Sequence, residues 1–368
     1  MMNDSVSRLR RNRAKTWSSL GNLGRKPTEY EIVTHNMNHT YRNDEDEPLE
    51  MGSNAPGNVW LKEHRDTKLF GVTAWNDFRD PDELTYRKYC EIQDDQETYV
   101  DQMLRNFTEV KKTDTRLDDT ALTFLQTVVT PTRYLAHGQQ MLSAYLQQVS
   151  PSSYVGNCAT FQTADALRRG QRISYRTKQL DNAHPMRGFG TGERSIWETD
   201  EGWQPVRRAI EQLLIVYDFD RAFVGYELCV RPVLDNIFLQ QAATVARSLG
   251  AEADALILES LYVDTVRANR WSIALARFVA ERSKEGRSLM RSFVREYNDQ
   301  VDDIIRAGAD LVSRYVTTAT AQAYSVRDES SSKAKGNSAS AYIAGVIHSR
   351  AQSDWGSYIN EANLGSDS

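Results

Sequence analysis

Cysteine is scarce in this chain, and its positions form no metal-binding or disulfide pattern. Three cysteines, Cys90, Cys158 and Cys229, are spread over 368 residues, and no pair has C-x-x-C spacing. An odd number of widely separated thiols supports neither a zinc site nor a disulfide framework. We therefore expect all three to be small, buried apolar residues.

Long apolar runs and a charge excess of one sign are also missing. No apolar run approaches the roughly 18 residues of a membrane helix, and nothing resembles a secretory signal. The formal net charge is −5, from 45 basic and 50 acidic residues, which gives no bulk attraction to nucleic acid or to an anionic membrane. We therefore expect a cytoplasmic protein that binds neither.

A basic run near the N-terminus is the local exception to this charge balance. It lacks the interleaved aromatic residues of a nucleic-acid-binding patch, and no apolar segment follows it. The run is therefore typical of a disordered basic arm. Its members are Arg8, Arg10, Arg11, Arg13 and Lys15.

The loop motifs of several enzyme classes are absent as well. The chain has no G-x-x-x-x-G-K-[ST] loop, no G-x-S-x-G elbow and no G-x-G-x-x-G after a strand. The glycine-rich stretch 187–192 has no strand before it, so we interpret it as a flexible loop. Neither a phosphate-binding loop nor a hydrolase nucleophile is predicted.

Histidine is too sparsely placed for a diiron carboxylate site. Such a site takes one Glu from each of two helices and a Glu-x-x-His motif from each of two others, because the i, i+3 spacing puts both ligands on one face. The chain has six histidines, and none has a Glu three positions before it. Asp181-Asn-Ala-His184 comes nearest, but Pro185 follows it and favours a loop. His137 lies in an apolar helical stretch and is typical of a hydrogen-bonded core residue.

Helical patterns dominate what is present. Apolar residues recur at helical spacing from about residue 82 to about 324, and no sustained strand-like alternation appears, so we predict an all-α fold. One run, Leu142 to Val149, ends at Ser150-Pro151. Pro232 lies within another, Ala222 to Phe238, where it predicts a kink or a nearby helix boundary.

Three segments differ in composition. Residues 1–80 are predicted to be an irregular N-terminal arm, because the first 58 or so are polar and broken by Pro27, Pro48 and Pro56. Residues 81–326 are predicted to be the helical domain. Residues 327–368 start with a linker of small and polar residues and end in a C-terminal extension with helical spacing, whose contacts the sequence leaves open.

Five segments occur in a characteristic order along the chain. They are Tyr30 to Asn36 (YEIVTHN), Trp75 to Arg87 (WNDFRDPDELTYR), Leu142 to Leu180, Trp197-Glu198 and Gly202-Trp203-Gln204. Together they resemble the hydroxylase β subunit of bacterial soluble multicomponent diiron monooxygenases, the group that includes toluene, phenol, alkene and isoprene monooxygenases. The resemblance covers about residues 30–312.

This resemblance implies a ferritin-like (ribonucleotide-reductase-like) helical bundle with no catalytic, cofactor-binding or metal site of its own. It implies an α subunit that holds the diiron centre, a small γ subunit and an (αβγ)2 assembly. It also implies an effector protein, a ferredoxin and an NADH reductase, acting in the oxidation of aromatic or alkene hydrocarbons. The β chain itself would support the α subunit without catalysing the reaction.

The two places where the iron-binding helices of that family carry Glu-x-x-His differ in this chain. They read Asp165-Ala-Leu-Arg168 and Asp264-Thr-Val-Arg267. Arginine stays protonated and cannot be a metal ligand. We therefore predict that these four side chains point into the bundle and form mutual or bridging ion pairs. An Asp-x-x-Arg pair is also an ordinary surface ion pair, and that interpretation stays open.

The two lone-Glu positions of the family's iron site are also changed in this chain, and two alternative functions stay open. By rough register, the lone-Glu positions fall near Leu135 and Val230, which are apolar, with Glu227 within one turn of Val230. A helical scaffold unrelated to oxygenases is one alternative. The other is an independent ferritin-like metalloenzyme that uses Asp165, Glu227, Asp264 and His137.

Aromatic residues are concentrated partly in the polar N-terminal third. A poorly cored segment cannot bury such rings by itself, and rings of this kind commonly anchor an interface. We therefore predict that residues 1–80 lie across a partner chain. The predicted anchors are Trp60, Phe70, Trp75 and Phe78.

Overall fold

The computed structural model describes residues 20, 23–35, 53–318, 320–321 and 339–365. These residues form helices, turns and loops, and none of them forms a strand, which confirms the predicted all-α fold. The predicted basic arm and the linker residues 327–338 lie outside the described residues. Among the residues that are described, no helix has both the length and the apolar character that crossing a bilayer requires.

Twelve helices are labelled here in chain order within the described ranges. The first eight are α1 (Glu29–Thr34), α2 (Pro56–Leu61), α3 (Tyr86–Arg105), α4 (Asp119–Phe124), α5 (Thr132–Gln148), α6 (Ser153–Ala183), α7 (Glu193–Thr199) and α8 (Gln204–Leu213). Helix α9 is composite and runs through Phe219–Ala222, Phe223–Val230, Arg231–Asp235, Asn236–Gln241 and Ala242–Ser248. The last three are α10 (Glu252–Arg282), α11 (Lys284–Ser313) and α12 (Ala339–Glu361).

Three of the long helices begin directly after a capping side chain. Thr85, Ser152 and Ser283 precede α3, α6 and α11, and each hydroxyl accepts a hydrogen bond from a backbone N–H of the first turn. Capping of this kind satisfies one of the four N–H groups that a helix start leaves without a partner. The predicted break at Ser150-Pro151 separates α5 from α6, which pack against each other as an antiparallel pair.

A layer of four helices, α5, α6, α9 and α10, surrounds the centre of the molecule. Helices α6 and α10 have 31 residues each, and side chains from all four helices meet between them. Helix α3 lies across α6 and α10 on one side, and α11 and α12 cover α9 on the other. Nearly all buried apolar residues belong to one continuous core. The fold therefore places any central site between α6, α9 and α10.

At Pro232, where the sequence predicts a kink or a nearby helix boundary, α9 contains two π-helical segments. Phe223–Val230 and Asn236–Gln241 are π-helical, and the α-helical segment Arg231–Asp235, which holds Pro232, lies between them. Widened turns of this kind accommodate a residue that the regular i to i−4 hydrogen-bond pattern cannot hold.

The part of the predicted arm that is described packs on the bundle, which corrects the anchor assignment for three residues. Phe70, Trp75 and Phe78 are only 3%, 4% and 2% exposed in the isolated chain. Their rings contact Phe219 and Phe278 with centroid separations of 5.6–6.4 Å. The prediction that these rings need a partner surface is therefore wrong, because α9 and α10 supply an apolar surface that the local composition did not reveal.

Two other residues depart from expectation in the opposite direction, because they are more exposed than predicted. Cys90 lies on the outward face of α3 and is exposed, whereas Cys158 and Cys229 are buried as predicted. His137 is exposed on α5, with Nδ1 3.4 Å from Gln140 Oε1, and is not the expected core histidine. Both residues lie on faces of their helices that no described element covers.

The C-terminal extension, whose contacts the sequence left open, is helix α12. It packs along α11 and against the middle of α9. Ile343, Ile347 and Ala351 are buried at helical spacing along its inner face. Helix α12 is therefore part of the same core as the bundle.

Candidate functional site

The four side chains singled out at the expected iron-ligand positions lie inside the bundle. Asp165 and Arg168 on α6 are 5% and 9% exposed, and Asp264 and Arg267 on α10 are 2% and 9% exposed. The i, i+3 spacing puts each Asp and its Arg on the same face of its helix. The prediction that the four side chains point inward is confirmed, and the interpretation as surface ion pairs is wrong.

Ion pairs between the two helices cross from one motif to the other. Arg168 Nη1 lies 2.7 Å from Asp264 Oδ2, and Arg267 Nη2 lies 2.6 Å from Asp165 Oδ2. Arg267 Nη2 also lies 3.2 Å from Asp264 Oδ1 on its own helix. Each motif therefore neutralises the other, which confirms the predicted mutual pairing.

Helix α3 closes this set from the outside of the bundle. The Tyr89 hydroxyl donates to Asp165 Oδ1 at 3.0 Å, and Gln93 Nε2 lies 3.2 Å from Asp165 Oδ1 and 3.0 Å from Asp264 Oδ1. Glu97 Oε1 accepts from Arg168 Nε at 2.6 Å. The carboxylates of Asp165 and Asp264 thus share one amide donor and one guanidinium.

Burial and mutual repulsion act together on Asp165. Burial disfavours its ionised form, the nearby charge of Asp264 adds to this, and together they raise the pKa of Asp165 to about 7 despite the opposing effect of Arg267. Burial alone would lower the pKa of Arg267, but the charges of Asp165 and Asp264 outweigh it and raise that pKa. The arginine therefore stays cationic while the carboxyl titrates near neutrality.

A second ion-pair cluster, which the sequence analysis missed, fills the centre of the four-helix layer. Arg169 Nη1 lies 2.7 Å from Asp235 Oδ1, and Gln139 Nε2 donates to the same oxygen at 3.0 Å. Arg231 Nε lies 2.8 Å from Glu227 Oε2 and Nη1 lies 3.6 Å from Asp235 Oδ2. Glu227, Arg231 and Asp235 recur at i, i+4 spacing in an otherwise apolar stretch, which is the signal that could have found them.

This cluster lies next to a residue that rough register assigned to the lone-Glu positions. Leu135 and Val230 are buried apolar residues, as their sequence suggests. Glu227, which spacing disfavoured, is fully buried in the bundle, and Gln162 Nε2 donates to its Oε1 at 2.6 Å. The π-helical segment around Glu227 changes the helical register, which a count based on regular spacing could not include.

A third group of buried ion pairs, centred on Arg176, ties the far end of α6 to its neighbours. Arg176 is 1% exposed and donates to both oxygens of Asp114 at 2.7 Å each and to both oxygens of Asp254 at 2.9 Å each. Two bidentate pairs thus use four of the five N–H donors of this guanidinium, and charge-assisted pairs of this geometry are among the stronger hydrogen bonds in proteins. This arginine therefore fixes α6 to α10 and to the loop that holds Asp114.

Little space remains between the first two clusters. A void of about 10 Å3 is lined by residues of both, including Asp165, Arg169, Asp235 and Asp264. That volume is close to the minimum for one water molecule. The centre of the bundle is therefore filled by side chains and offers no chamber for a substrate.

The donor set at this centre does not fit a diiron site. Each carboxylate in the two clusters is paired with a guanidinium, and arginine cannot ligate a metal. Within the described residues, no three His, Cys, Asp or Glu side chains come together in a way that could hold a metal ion. His137 is exposed on the surface of α5, whereas Asp165, Glu227 and Asp264 are buried, so it does not join them as a fourth metal ligand. The ligand set of the independent-metalloenzyme hypothesis is therefore not assembled.

Comparison with known protein families gives a match over most of the helical domain. The model of the methane/phenol/alkene hydroxylase family matches residues 60–283. The hydroxylase component β subunit of the toluene-4-monooxygenase system of Ectopseudomonas mendocina is 34% identical over 302 residues, covering 81% of this chain and 90% of that protein. The hydroxylase component small subunit of propane 2-monooxygenase of Mycolicibacterium smegmatis is 23% identical over 224 residues, covering 58% of this chain and 57% of that protein.

Solved structures give the same result for the fold. A chain of toluene 4-monooxygenase, solved with toluene bound in the resting active site, superposes with a TM-score of 0.77 at 32% identity, covering 81% of this chain and 97% of that one. A chain of xenon-pressurised phenol hydroxylase from Pseudomonas sp. OX1 superposes with a TM-score of 0.73 at 17% identity, covering 96% of this chain and 94% of that one, and this likeness concerns the fold alone. Family match, identity and fold agree with the order of landmarks in the sequence, and the chain belongs to the methane/phenol/alkene hydroxylase family as a hydroxylase β subunit of the diiron monooxygenases.

Proposed function

We propose that this chain is a non-catalytic β subunit, which supports an iron-bearing α subunit in the hydroxylase of a multicomponent monooxygenase. The observation that carries the proposal is the paired network of Asp165, Arg168, Asp264 and Arg267 at the centre of the bundle. We take these four residues as degenerate ligand positions, because guanidinium groups stand where an iron site needs imidazoles.

The network suits a supporting role because it ties helices together without metal. Its charges come from α3, α6 and α10 in the first cluster and from α6 and α9 in the second. Breaking one partner of a buried pair leaves an uncompensated charge, so such a network strongly disfavours any other helix register. A rigid bundle of this kind offers a partner chain a fixed surface.

The proposed assembly follows the family. It contains α and γ subunits as (αβγ)2, and an effector protein, a ferredoxin and an NADH reductase bind to it. The proposed reaction is the hydroxylation or epoxidation of aromatic or alkene hydrocarbons with O2 and electrons from NADH. The name of one relative, toluene-4-monooxygenase, supports an aromatic substrate. Dependence on NADH makes the cytoplasm the proposed location. Family membership removes the hypothesis of a scaffold unrelated to oxygenases.

Trp60 stays a proposed interface anchor after the other three aromatic residues have been assigned to the core. Its ring is half-buried and lies 4.9 Å from the Tyr217 ring and 4.3 Å from the His64 ring. Val59, next to Trp60 on α2, and Ile215, in the segment after α8 that also holds Tyr217, are exposed apolar residues. An apolar surface with an aromatic centre is typical of a contact with another subunit.

The test is purification of the hydroxylase through an affinity tag on this chain, followed by separation of the subunits. We expect a chain with two Glu-x-x-His motifs to co-purify, and iron to be present in that chain at about two atoms per copy. Iron is expected in less than a tenth of an equivalent in the separated β chain. About two irons per β chain, or no such partner, would refute the proposal.

A matched pair of variants tests the role of Trp60 in the same complex. Trp60→Ala should weaken assembly by about 2 kcal/mol or more, since buried aromatic anchors carry such energies. Tyr86→Ala removes a ring that is more exposed and serves as the control. Equal assembly by both variants, measured by sedimentation of the complex over a dilution series, would remove Trp60 from the interface.

A further inference from the structure

Pro232 creates a defect in the backbone hydrogen bonding of α9. Proline has no N–H to donate, so the carbonyls that would receive one from residue 232 lose that donor. In a regular α-helix this carbonyl is Leu228 O, four residues earlier, and in a π-helix it is Glu227 O, five residues earlier. Both lie in the π-helical segment Phe223–Val230, where Arg231 N donates to Tyr226 O in the π pattern.

Two side chains of α12 donate to the same two carbonyls. Trp355 Nε1 donates to Leu228 O at 2.9 Å, and the Tyr358 hydroxyl donates to Glu227 O at 2.9 Å. The two donors stand at i and i+3, which puts them on one face of α12. The helix thus supplies a side-chain donor to both carbonyls, and so to the one that residue 232 would serve in either the α or the π pattern.

Other contacts hold these donors in place. The Tyr358 hydroxyl lies 2.7 Å from Ser272 Oγ on α10 and 3.5 Å from Arg231 Nη2, and Tyr358 is buried. Arg231 Nη2 also donates to Glu227 O at 3.3 Å. Asn236 Nδ2 donates to Asp354 Oδ2 at 2.8 Å, in the second π-helical segment of α9.

We infer that α12 is an intrachain recognition helix, and that the carbonyl pair at residues 227 and 228 is the surface it recognises. Its Trp-x-x-Tyr motif replaces the donor that Pro232 lacks, adds a second donor at the neighbouring carbonyl, and fixes the π-helical register of α9. Because Arg231 and Asp235 follow directly on that segment, their positions in the second ion-pair cluster depend on the same register. Helix α12 thereby positions residues of the bundle centre, although it is not one of the four helices that surround that centre.

The test uses the full chain with two conservative substitutions, Trp355→Phe and Tyr358→Phe, made together. Each removes one hydrogen-bond donor and keeps a ring in the core. Tyr342→Phe is the matched control on the same helix, because Tyr342 is half-buried and no hydrogen bond of its hydroxyl links it to α9. The readout is amide hydrogen exchange, followed peptide by peptide.

In the double variant, we expect exchange over residues 223–241 to rise at least about tenfold, since the hydrogen bonds from Trp355 to Leu228 O and from Tyr358 to Glu227 O are lost. Exchange in the middle of α6 should stay as in the unmodified chain, and the control variant should match the unmodified chain throughout. Unchanged exchange over residues 223–241 would overturn the inference. A rise of equal size in α6 and α9 would overturn it too, because it would mean a general loss of stability with no local role for the two donors.

Discussion

Arg267 and Asp165 form a 2.6 Å ion pair although 102 residues separate them in the chain. Both are buried, and the pair joins the middle of α10 to the middle of α6. The carboxylate of Asp165 is also bonded to Tyr89, so three helices meet at one side chain. Perturbation of this pair should therefore affect the whole bundle.

Substitution of Arg267 by Met should destabilise the chain strongly. The two carboxylates of Asp165 and Asp264 would lose their shared cation in a buried setting, at a cost of about 3–5 kcal/mol in the free energy of unfolding. Arg270→Met, on the same helix, is the control, because Arg270 is half-exposed and its pair with Asp82 at 2.8 Å is worth about 1 kcal/mol or less. Urea unfolding of the two variants at pH 7 measures the difference, and equal costs would contradict the buried pairing.

The stability of the chain should depend on pH through Asp165. Its pKa is raised to about 7 in the folded state, above the unfolded value of about 3.9, so the folded chain holds this proton more tightly. The stabilisation is therefore complete below about pH 4 and is lost as pH rises to about 7, with a slope of at most about 1.4 kcal/mol per pH unit.

Asp165→Asn should remove that component, because an amide does not titrate. The difference in unfolding free energy between the unmodified chain and the variant should shift in favour of the variant as pH rises from about 5 to about 7. Urea unfolding at half-unit pH steps measures it. A constant difference over this interval would show that the proton is bound equally in both states.

Metal ions should leave the thermal stability of the isolated chain unchanged. A ligand that binds only the folded state adds to the free energy of unfolding, by about 2.7 kcal/mol at a hundred times its Kd, and therefore raises the midpoint temperature. Because the carboxylates at the bundle centre are paired with arginines, ferrous iron has no such site here. Calorimetry with ferrous iron and with EDTA should give the same midpoint to within about one degree, and a clear rise with iron would identify a metal site.

Trp75→Ala should lower the free energy of unfolding of the isolated chain. A substitution at a residue that contacts only a partner subunit would leave that free energy nearly unchanged. Its ring is 4% exposed and lies 5.8 Å from the Phe219 ring and 5.7 Å from the Phe278 ring. Loss of such a ring from a core costs about 3–5 kcal/mol. Tyr86→Ala, at a ring that is 72% exposed, should cost well under about 1 kcal/mol. A stable Trp75→Ala chain that fails to assemble would restore the interface role of this residue.

Local chemistry made much of the fold predictable. Helical spacing gave the all-α class, Ser150-Pro151 marked the boundary between α5 and α6, and the i, i+3 spacing put Asp165 beside Arg168 on one face. These features depend on residues within a turn or two of each other. The absence of a Glu-x-x-His motif is likewise visible in the sequence alone, because the motif spans only four residues.

Other features depended on contacts that local patterns do not specify. Glu227 lies in a π-helical segment and Asp235 in the α-helical segment that follows it, and the contacts of both with α6 join distant parts of the chain. Phe70, Trp75 and Phe78 looked unburied because the surfaces that cover them, on α9 and α10, lie more than a hundred residues further along the chain.

The sequence by itself thus determined the helices, their caps and the absence of an iron-ligand pattern, since each is set by neighbouring side chains and the backbone. The tertiary structure decided which arginine meets which carboxylate, because that choice depends on how α6 and α10 are aligned along their length. It also decided that Trp355 and Tyr358 donate hydrogen bonds to the carbonyls of Leu228 and Glu227. The composition of the linker between α11 and α12 does not predict that contact. Contacts between distant segments follow from packing of whole helices, and no local rule contains them.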